Sequence, residues 1–247
     1  MFKRLRGLLH PLPAGVIPLR KAFSGYLRGS GIEIGALHHP LPLKGLPVTQ
    51  IRYVDRLPLA RLRKHYPELS HRKFTRVDVI DDGECLSSFE ACSLDFIIAN
   101  HFLEHARNPI GTIRNWLAKL RPGGVVYLAL PDKRYTFDSE RPLTTLDHLV
   151  NDDLASEAER PGLDFAHFLE YARLVDKRAE RDIEPQAQRL FRSGYSIHFH
   201  TFVSRSFQDM LRHAQDRLRM PFEIRAYADT PPGGQEFLFM LSKMDEG

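Results

Sequence analysis

The sequence predicts an α/β fold: a doubly wound, mostly parallel seven-stranded sheet with a C-terminal antiparallel hairpin and a helical insertion after the fifth strand. As far as residue 131, short apolar runs alternate with segments of helical apolar spacing, which is typical of parallel strands joined by crossover helices. Residues 139–192 then contain many charges and almost no strand-like run. The last two apolar runs, 222–227 and 237–241, lie too close together for a crossover helix and should pair as a hairpin.

The first five strands are short apolar runs punctuated by turn-forming and charged residues. They are predicted at residues 31–35, 50–55, 74–80, 94–99 and 125–130. Since the carboxyl ends of parallel strands lie at one edge of a sheet, polar residues that follow these runs are expected to share a site.

Two helices are predicted between these strands. Apolar residues at helical spacing predict the first over 58–66, and Pro67 ends it. The second is predicted over 108–120, with Asn108 as its N-cap and Pro109 at its first position, where the missing N–H costs nothing. The Pro-Gly-Gly sequence that follows predicts a helix exit and a tight turn into the fifth strand.

The chain divides into a basic N-terminal arm at residues 1–28 and one domain at 29–247, in which residues 139–194 form a helical insertion or lid. A further helix is predicted at about 204–218. The arm has six basic residues and no acid, so it could make weak contact with an anionic membrane surface. Its three prolines interrupt any long amphipathic helix and favour an arm that packs on the domain.

Composition narrows the function classes. The 247 residues are 43% hydrophobic and 27% charged, which is typical of a globular chain. The net charge of +4 is too small to predict nucleic-acid binding. No apolar run is long enough for a secretory signal or a membrane span, and Cys85 and Cys92 have neither disulfide nor zinc-site spacing. We therefore expect a cytoplasmic protein.

Polar residues follow the predicted strands where a ligand site should lie. Asp55 ends the second strand, about twenty residues past Glu33, where nucleotide-binding folds place an acid on the ribose hydroxyls. Asp55 could instead cap the helix that begins near Pro58. Asp82 and Gly83 form a turn after the third strand.

Taken together, these motifs resemble those of class I S-adenosylmethionine-dependent methyltransferases, over roughly residues 29–138 and 200–243. The resemblance implies S-adenosylmethionine as the cofactor. It also implies a set of cofactor-binding residues: Glu33, Gly35, Asp55, Asp82, Gly83 and Asn100.

The chain departs from the family pattern after its first strand. Ala36 to Pro40 (Ala-Leu-His-His-Pro) replace the small residues that the family has there, and Leu37 does not adopt a positive φ as freely as glycine does. Either this loop takes another route around the cofactor, or the site is degenerate. The resemblance also implies that an acid after the third strand contacts adenine. Because Asp81 lies beside Asp82, either of the two could be that acid.

Histidines are the remaining candidates, with twelve in the chain. The segment His101-Phe102-Leu103-Glu104-His105 follows the fourth strand, and in the family a Leu-Glu-His triplet lies at the base of the acceptor pocket. His198 and His200 alternate with period two and should share one side of an extended segment. Neutral imidazoles here could remove a proton from an acceptor, so His101, His105, His198 and His200 are the predicted catalytic residues.

Other roles remain open for the histidines. His101 and His105 could chelate a metal with Glu104, or simply pack. Two or three of His198, His200 and the insertion's His148 and His167 could ligate a transition metal. No metal ligand is assigned from the sequence.

The sequence thus predicts methyl transfer from S-adenosylmethionine to a hydroxyl or amine of a small molecule or sugar. The motif set resembles methyltransferase-domain proteins among bacterial glycan and secondary-metabolite enzymes. One alternative is a non-catalytic module of the same fold that scaffolds a partner. The other is a Rossmann-type nucleotide-sugar oxidoreductase, against which the missing G-x-G-x-x-G argues. The oligomeric state is not predicted.

Overall fold

The computed structural model describes residues 16–69 and 71–245. It contains one seven-stranded sheet, whose strands lie in the order β3-β2-β1-β4-β5-β7-β6. The strands are β1 (Gly29–Ile34), β2 (Val48–Asp55), β3 (Val79–Ile80), β4 (Leu94–Asn100), β5 (Leu120–Pro131), β6 (Phe222–Ala228) and β7 (Glu236–Lys243). β1 to β5 are parallel, and β7 is antiparallel to both β5 and β6. The predicted fold class is confirmed.

Seven α-helices lie in the described part of the chain. They are α1 (Val16–Ser24), α2 (Leu59–His65), α3 (Pro109–Lys119), α4 (Leu146–Leu154), α5 (Arg160–Leu174), α6 (Glu180–Arg192) and α7 (Ser204–Asp216). The start of α3 is as predicted, because the Asn108 Oδ1 accepts a hydrogen bond of 2.8 Å from the Gly111 N–H and Pro109 is the first helical residue. No helix of the described residues combines the length and apolar character needed to cross a bilayer.

The third strand is much shorter than the predicted span of 74–80. Only Val79 and Ile80 pair with β2. The Tyr53 N–H, a donor that a longer strand would use, binds the Asp78 side chain at 2.9 Å instead. Phe74 is buried against α2 residues and is not part of the sheet. A side chain thus replaces the backbone partner and ends the ladder.

The fifth strand begins earlier than predicted. Leu120 already pairs with Leu94, and Phe96 then pairs with Val125, so residues 121–124 form a bulge within β5. Gly123 has φ +74°, a conformation that suits glycine. The Pro-Gly-Gly sequence therefore bends the strand and does not precede it.

The two faces of the sheet are covered differently. α3, α4 and α7 pack on one face and enclose the largest apolar cluster. Residues 35–47, all described, contain no helix, and this loop covers the other face together with α1. Phe23 and Leu27 of the predicted arm are buried there. Residues 1–15 of that arm lie outside the described residues.

The insertion after β5 contains α4, α5 and α6. α5 and α6 pack on each other around an apolar cluster of their own, which includes Phe199 from the segment that returns to the sheet. That return segment enters the carboxyl edge of the sheet, where Asp132 bridges to Phe202. The insertion therefore lies next to the predicted active site.

Candidate active site

Glu33 ends β1 and is fully buried. Its two carboxylate oxygens accept hydrogen bonds of 3.0 and 3.1 Å from the Leu41 N–H, and the Asn100 amide donates to Oε1 at 3.2 Å. Burial raises the pKa of Glu33 to about 7. Glu33 therefore holds the following loop against the sheet.

The loop after β1 keeps a sharp turn despite its sequence. Gly35 has φ +63° and Leu37 has φ +44°, so Leu37 adopts the left-handed conformation that its side chain disfavours. The Leu37 carbonyl accepts a hydrogen bond of 2.6 Å from the Thr75 N–H, which helps to hold this conformation. Both ring nitrogens of His38 are buried and lack a hydrogen-bond partner among the residues that the structure describes.

Asp55 lies at the end of β2 on the wall of a small cleft, with Ala36 and Leu37 opposite. Its carboxylate accepts one long hydrogen bond, 3.4 Å, from the Leu57 N–H, and burial raises its pKa to about 6. α2 has Pro58 as its N-cap, with no side-chain cap bond. Asp55 therefore does not cap the helix, and it has spare acceptor capacity toward the cleft.

The turn after β3 separates its two acids. Both Asp81 oxygens are occupied, because they accept hydrogen bonds from the Ser87 hydroxyl and the Ser88 N–H at 2.9 and 2.7 Å. Asp82 is exposed and accepts from the Glu84 N–H through Oδ1 alone. Of the two, Asp82 is the acid with an oxygen left for a ligand.

Gly83 belongs to this turn, and Asn100 is the last residue of β4. A side chain at Gly83 would collide with the Phe102 ring and with Ile34, so glycine is required there by packing. The Asn100 Oδ1 is buried and, within the described part of the chain, accepts no hydrogen bond. An unsatisfied acceptor at the end of β4 indicates a donor that a ligand would supply.

The Glu104 cluster, formed by His101, Glu104, His105 and His198, lies just beyond β4. One nitrogen of each imidazole lies 3.9 Å from the Glu104 Oε1: Nδ1 of His101, Nε2 of His105 and Nε2 of His198. Glu104 is fully buried, which raises its pKa, and neither oxygen has a hydrogen-bond partner among the described residues. The His101 and His105 side chains are 25% and 24% exposed, so the cluster opens toward solvent on their side.

Each imidazole of the Glu104 cluster is held through its other nitrogen. The His105 Nδ1–H donates to the Ile197 carbonyl at 2.7 Å, and the His198 Nδ1–H donates to Asp138 at 2.6 Å. The His101 Nε2–H donates to Glu236 at 2.7 Å. In the neutral form, these bonds leave the nitrogen that faces Glu104 unprotonated and ready to accept a proton.

Behind His101 lies a buried ion pair. The Arg20 guanidinium of α1 binds both Glu236 oxygens at 2.6 Å. His101 itself has φ +50°, an uncommon conformation for a non-glycine residue that often marks functional sites. Sequence reasoning missed Arg20 and Glu236, since partners 216 residues apart have no local signal.

His200 lies apart from the other three predicted catalytic histidines. It is fully buried in a second group, the Asp152 cluster, formed by His148, Asp152, His167 and His200. The period-two argument placed His198 and His200 on one side, but residues 196–200 are not a regular strand and the two rings reach different clusters. The four-residue spacing of His148 and Asp152 on α4 was a sequence signal for this group.

Comparisons with known proteins identify the family. The sequence profile of the Methyltransferase domain family matches residues 58–215, which is more than half of the chain. A search of curated proteins gives no match.

Solved structures show the same fold. A Bacillus halodurans protein assigned as a methyltransferase has a TM-score of 0.52 at 12% identity, over 94% of this chain and 100% of that one. A Listeria monocytogenes protein assigned as an S-adenosylmethionine-dependent methyltransferase has a TM-score of 0.51 at 10% identity, over 93% and 96%. The CurJ carbon methyltransferase matches 88% of this chain at 14% identity and a TM-score of 0.46, but the chain spans only 49% of its length.

Proposed function

The chain belongs to the methyltransferase-domain family, and we propose that it transfers the methyl group of S-adenosylmethionine to a hydroxyl or amine of a small molecule or sugar. S-adenosylmethionine is the cofactor of this family. When bound, it supplies a methyl group on a sulfonium, which is already electrophilic. The protein must then orient the acceptor and remove its proton.

The residues at the carboxyl edge of the sheet fit this cofactor. Asp55 offers spare acceptor capacity for ribose hydroxyls, and the unsatisfied Asn100 Oδ1 suits the ammonium group of the methionine part. Asp82 retains an oxygen for the adenine amino group. In the loop after β1, Leu37 has the positive φ that a glycine would adopt there. This favours a site that binds the cofactor over a degenerate one.

The Glu104 cluster is the observation that carries the acceptor chemistry. Three imidazole nitrogens surround a buried carboxylate where β4 ends, and two of the rings are open to solvent. Burial, followed by repulsion from His198, lowers the pKa of His105 to about 3, so His105 is neutral at pH 7. An acceptor O–H or N–H would therefore meet the unprotonated Nε2 of His105, with Glu104 beside it to stabilise the imidazolium that forms.

A hydroxyl or amine acceptor suits such a cluster because both lose a proton on methylation. Ile197 and His198 of the segment after α6 border the cluster, and the helices α5 and α6 that pack on Ile197 could exclude water from a small acceptor. This favours a small molecule or sugar over a macromolecule.

Cofactor binding can be tested without knowing the acceptor. Calorimetric titration with S-adenosylhomocysteine should show binding to the wild type that Asp55→Ala weakens by at least tenfold, or about 1.4 kcal/mol. Asp216→Ala, an exposed acid at the end of α7, is the matched control and should bind as the wild type does. If the folded wild type gives no heat at concentrations suited to micromolar affinity, the proposed activity is wrong and the chain is a non-catalytic module.

A further inference from the structure

We propose that the Asp152 cluster is a binding site for one divalent transition-metal ion of the zinc class, with His148, Asp152, His167 and His200 as its four ligands. The ion would join the helical insertion to the segment that carries His198. This site is separate from the cofactor and acceptor site, and the proposal does not depend on the methyl-transfer function.

Three of the six distances between the four ligand atoms are close to those around a tetrahedral ion. The His148 Nε2 lies 3.2 Å from the His167 Nε2 and 3.3 Å from the Asp152 Oδ2, and the His200 Nε2 lies 3.6 Å from that same oxygen. All four ligand atoms lie within 4.8 Å of one another. Ligands at the usual zinc bond lengths of about 2.0 to 2.2 Å stand roughly 3.3 to 3.6 Å apart in a tetrahedron.

The cluster contains buried polar atoms that the protein does not satisfy. Among the described residues, neither nitrogen of His200 nor the Asp152 Oδ2 has a hydrogen-bond partner of good geometry. Leaving such groups unpaired costs about 1 to 3 kcal/mol each. One ion would satisfy the Asp152 Oδ2 and the His200 Nε2 and would also bind the other two rings.

The facing imidazoles of His148 and His167 also favour an ion. Their Nε2 atoms approach to 3.2 Å, and at most one of them can donate a hydrogen to the other. The His148 Nε2 also faces the Asp152 Oδ2 at 3.3 Å, so one ion could bind all three groups. Neutral imidazole and carboxylate are the protonation states that bind a metal.

The ligand set indicates the kind of ion and its role. Three imidazoles and one carboxylate suit zinc-class ions and are a poor set for Mg²⁺ or Ca²⁺, which prefer oxygen ligands. Four protein ligands make a closed site, which is typical of a structural ion. The half-exposed His148 side chain, at 43%, gives the ion a path in from solvent.

The fold explains what such an ion would stabilise. His148 and Asp152 lie one turn apart on α4, His167 lies on α5, and His200 lies on the segment between α6 and α7. The N–H groups of Phe199 and His200 donate to the Glu104 carbonyl at 2.8 and 3.2 Å. Through these bonds the ion would hold the segment that presents His198 to the Glu104 cluster.

Metal analysis and cobalt spectroscopy test the proposal. The wild type, stripped with chelator and reloaded with Zn²⁺, should retain one ion per chain after desalting. Reloading with Co²⁺ should give the intense visible d–d absorption of a tetrahedral site. His148→Ala should weaken Zn²⁺ binding at least tenfold, while His71→Ala, an exposed histidine outside both clusters, should bind as the wild type does.

A cysteine variant covers the case in which His148→Ala does not fold. His148→Cys should keep the ion and add a near-ultraviolet sulfur-to-cobalt charge-transfer band, which only a residue bound to the metal can produce. Retention of less than 0.2 ion per chain by the folded wild type would overturn the proposal. So would a Co²⁺ spectrum that His148→Cys leaves unchanged.

Discussion

Two clusters of three histidines and one buried carboxylate lie side by side in this molecule, and they differ in spacing and support. In the Glu104 cluster, each ring nitrogen stands 3.9 Å from the carboxylate. In the Asp152 cluster, the closest ligand atoms stand 3.2 to 3.6 Å apart. The contacts to the carboxylate are therefore longer in the Glu104 cluster, and the proposed metal site is the tighter of the two, with four ligand groups within 4.8 Å of one another against three in the Glu104 cluster.

The surroundings of the two clusters reinforce this difference. Asp138, Glu236 and the Ile197 carbonyl each orient one ring of the Glu104 cluster. His200, in contrast, has no hydrogen-bond partner in the part of the chain that the structure describes. The rings of the Glu104 cluster therefore have their tautomers set by hydrogen bonds to neighbouring groups, whereas His148 and His167 of the Asp152 cluster face each other directly through their Nε2 atoms.

The largest expected effect is a difference between His198 and His200, whose substitutions should affect turnover and metal content separately. His198→Gln should lower turnover by about 100- to 10,000-fold, because a proton-accepting ring is lost, and should leave metal content unchanged. His200→Gln should instead lower metal content. The measurements are metal analysis and S-adenosylhomocysteine formation from S-adenosylmethionine with a small-molecule metabolite extract. Equal losses of both properties in both variants would show that the clusters act as one unit.

The next effect concerns a support that only the Glu104 cluster has. Glu236→Gln leaves the buried Arg20 guanidinium with an uncharged partner, so the free energy of unfolding should fall by about 3 to 5 kcal/mol. Glu223→Gln removes an exposed pair with Arg225 and should cost less than about 1 kcal/mol. Denaturant unfolding measures both. A loss of less than 1 kcal/mol in Glu236→Gln would contradict the role given to this pair.

The same ion pair predicts an acid response. Burial opposes ionisation, but hydrogen bonds from Arg20 and His101 outweigh it and hold the pKa of Glu236 at about 2. Because this pKa is below the ordinary 4.5, the pair stabilises the fold above pH 4.5 and loses that effect as the pH falls toward 2. The unfolding free energy of Glu236→Gln should therefore fall less steeply than that of the wild type over this range.

Removing the ion from the Asp152 cluster with a chelator should lower the free energy of unfolding by somewhat less than Glu236→Gln does. At a free Zn²⁺ concentration 100 times the dissociation constant, the ion should stabilise the wild type by about 2.7 kcal/mol, and excess chelator should remove that stabilisation. Glu104→Gln should show the same loss, since Glu104 lies outside the Asp152 cluster, whereas Asp152→Asn should show little. Thermal unfolding with and without chelator measures the difference, and a chelator effect that Asp152→Asn retains in full would contradict the site.

The smallest expected effect is the contribution of Glu104 to the pH dependence of the free energy of unfolding. Burial raises the pKa of Glu104 above its ordinary 4.5, so the folded chain keeps this proton after the unfolded chain has lost it. Stability should therefore fall as the pH rises from 4.5 through the raised pKa, by at most about 1.4 kcal/mol per pH unit. Glu104→Gln should make this slope shallower, since the raised pKa values of Glu33 and Asp55 still contribute to it, and the exposed Glu180→Gln should leave it unchanged. An identical slope in wild type and Glu104→Gln would show that Glu104 does not titrate in this way.

Local sequence signals predicted much of the fold because they depend on neighbouring residues. The Asn108 cap and Pro109 set the start of α3, and the short connection between the last two runs required the hairpin. The prediction was wrong where a distant group intervened. The Asp78 side chain replaced a backbone partner and shortened β3 to two residues, and the Pro-Gly-Gly turn became a bulge once Leu120 paired with Leu94.

The candidate site was also predicted only in part, because local signals place residues at strand ends but do not show their contacts with distant groups. Strand ends placed Glu33, Asp55, Asp82 and Asn100 at one edge, but residue identity did not show which oxygens remained available. Glu33 and Asp81 are occupied by local hydrogen bonds, whereas Asp55 and Asp82 keep free acceptors. That distinction depends on side-chain geometry, which periodicity does not contain.

The sequence by itself determined the sheet, the family resemblance and the histidine-rich character of the region after β4, because alternating apolar runs and strand-end polar residues are local properties of the chain. Only the tertiary structure decided how the histidines are divided. It brought His198 to Glu104 and His200 to Asp152, because an irregular segment let two rings, two residues apart, turn toward different carboxylates. Contacts between residues 48 to 94 positions apart in the chain have no periodic signal, and they divide the histidines between two separate clusters.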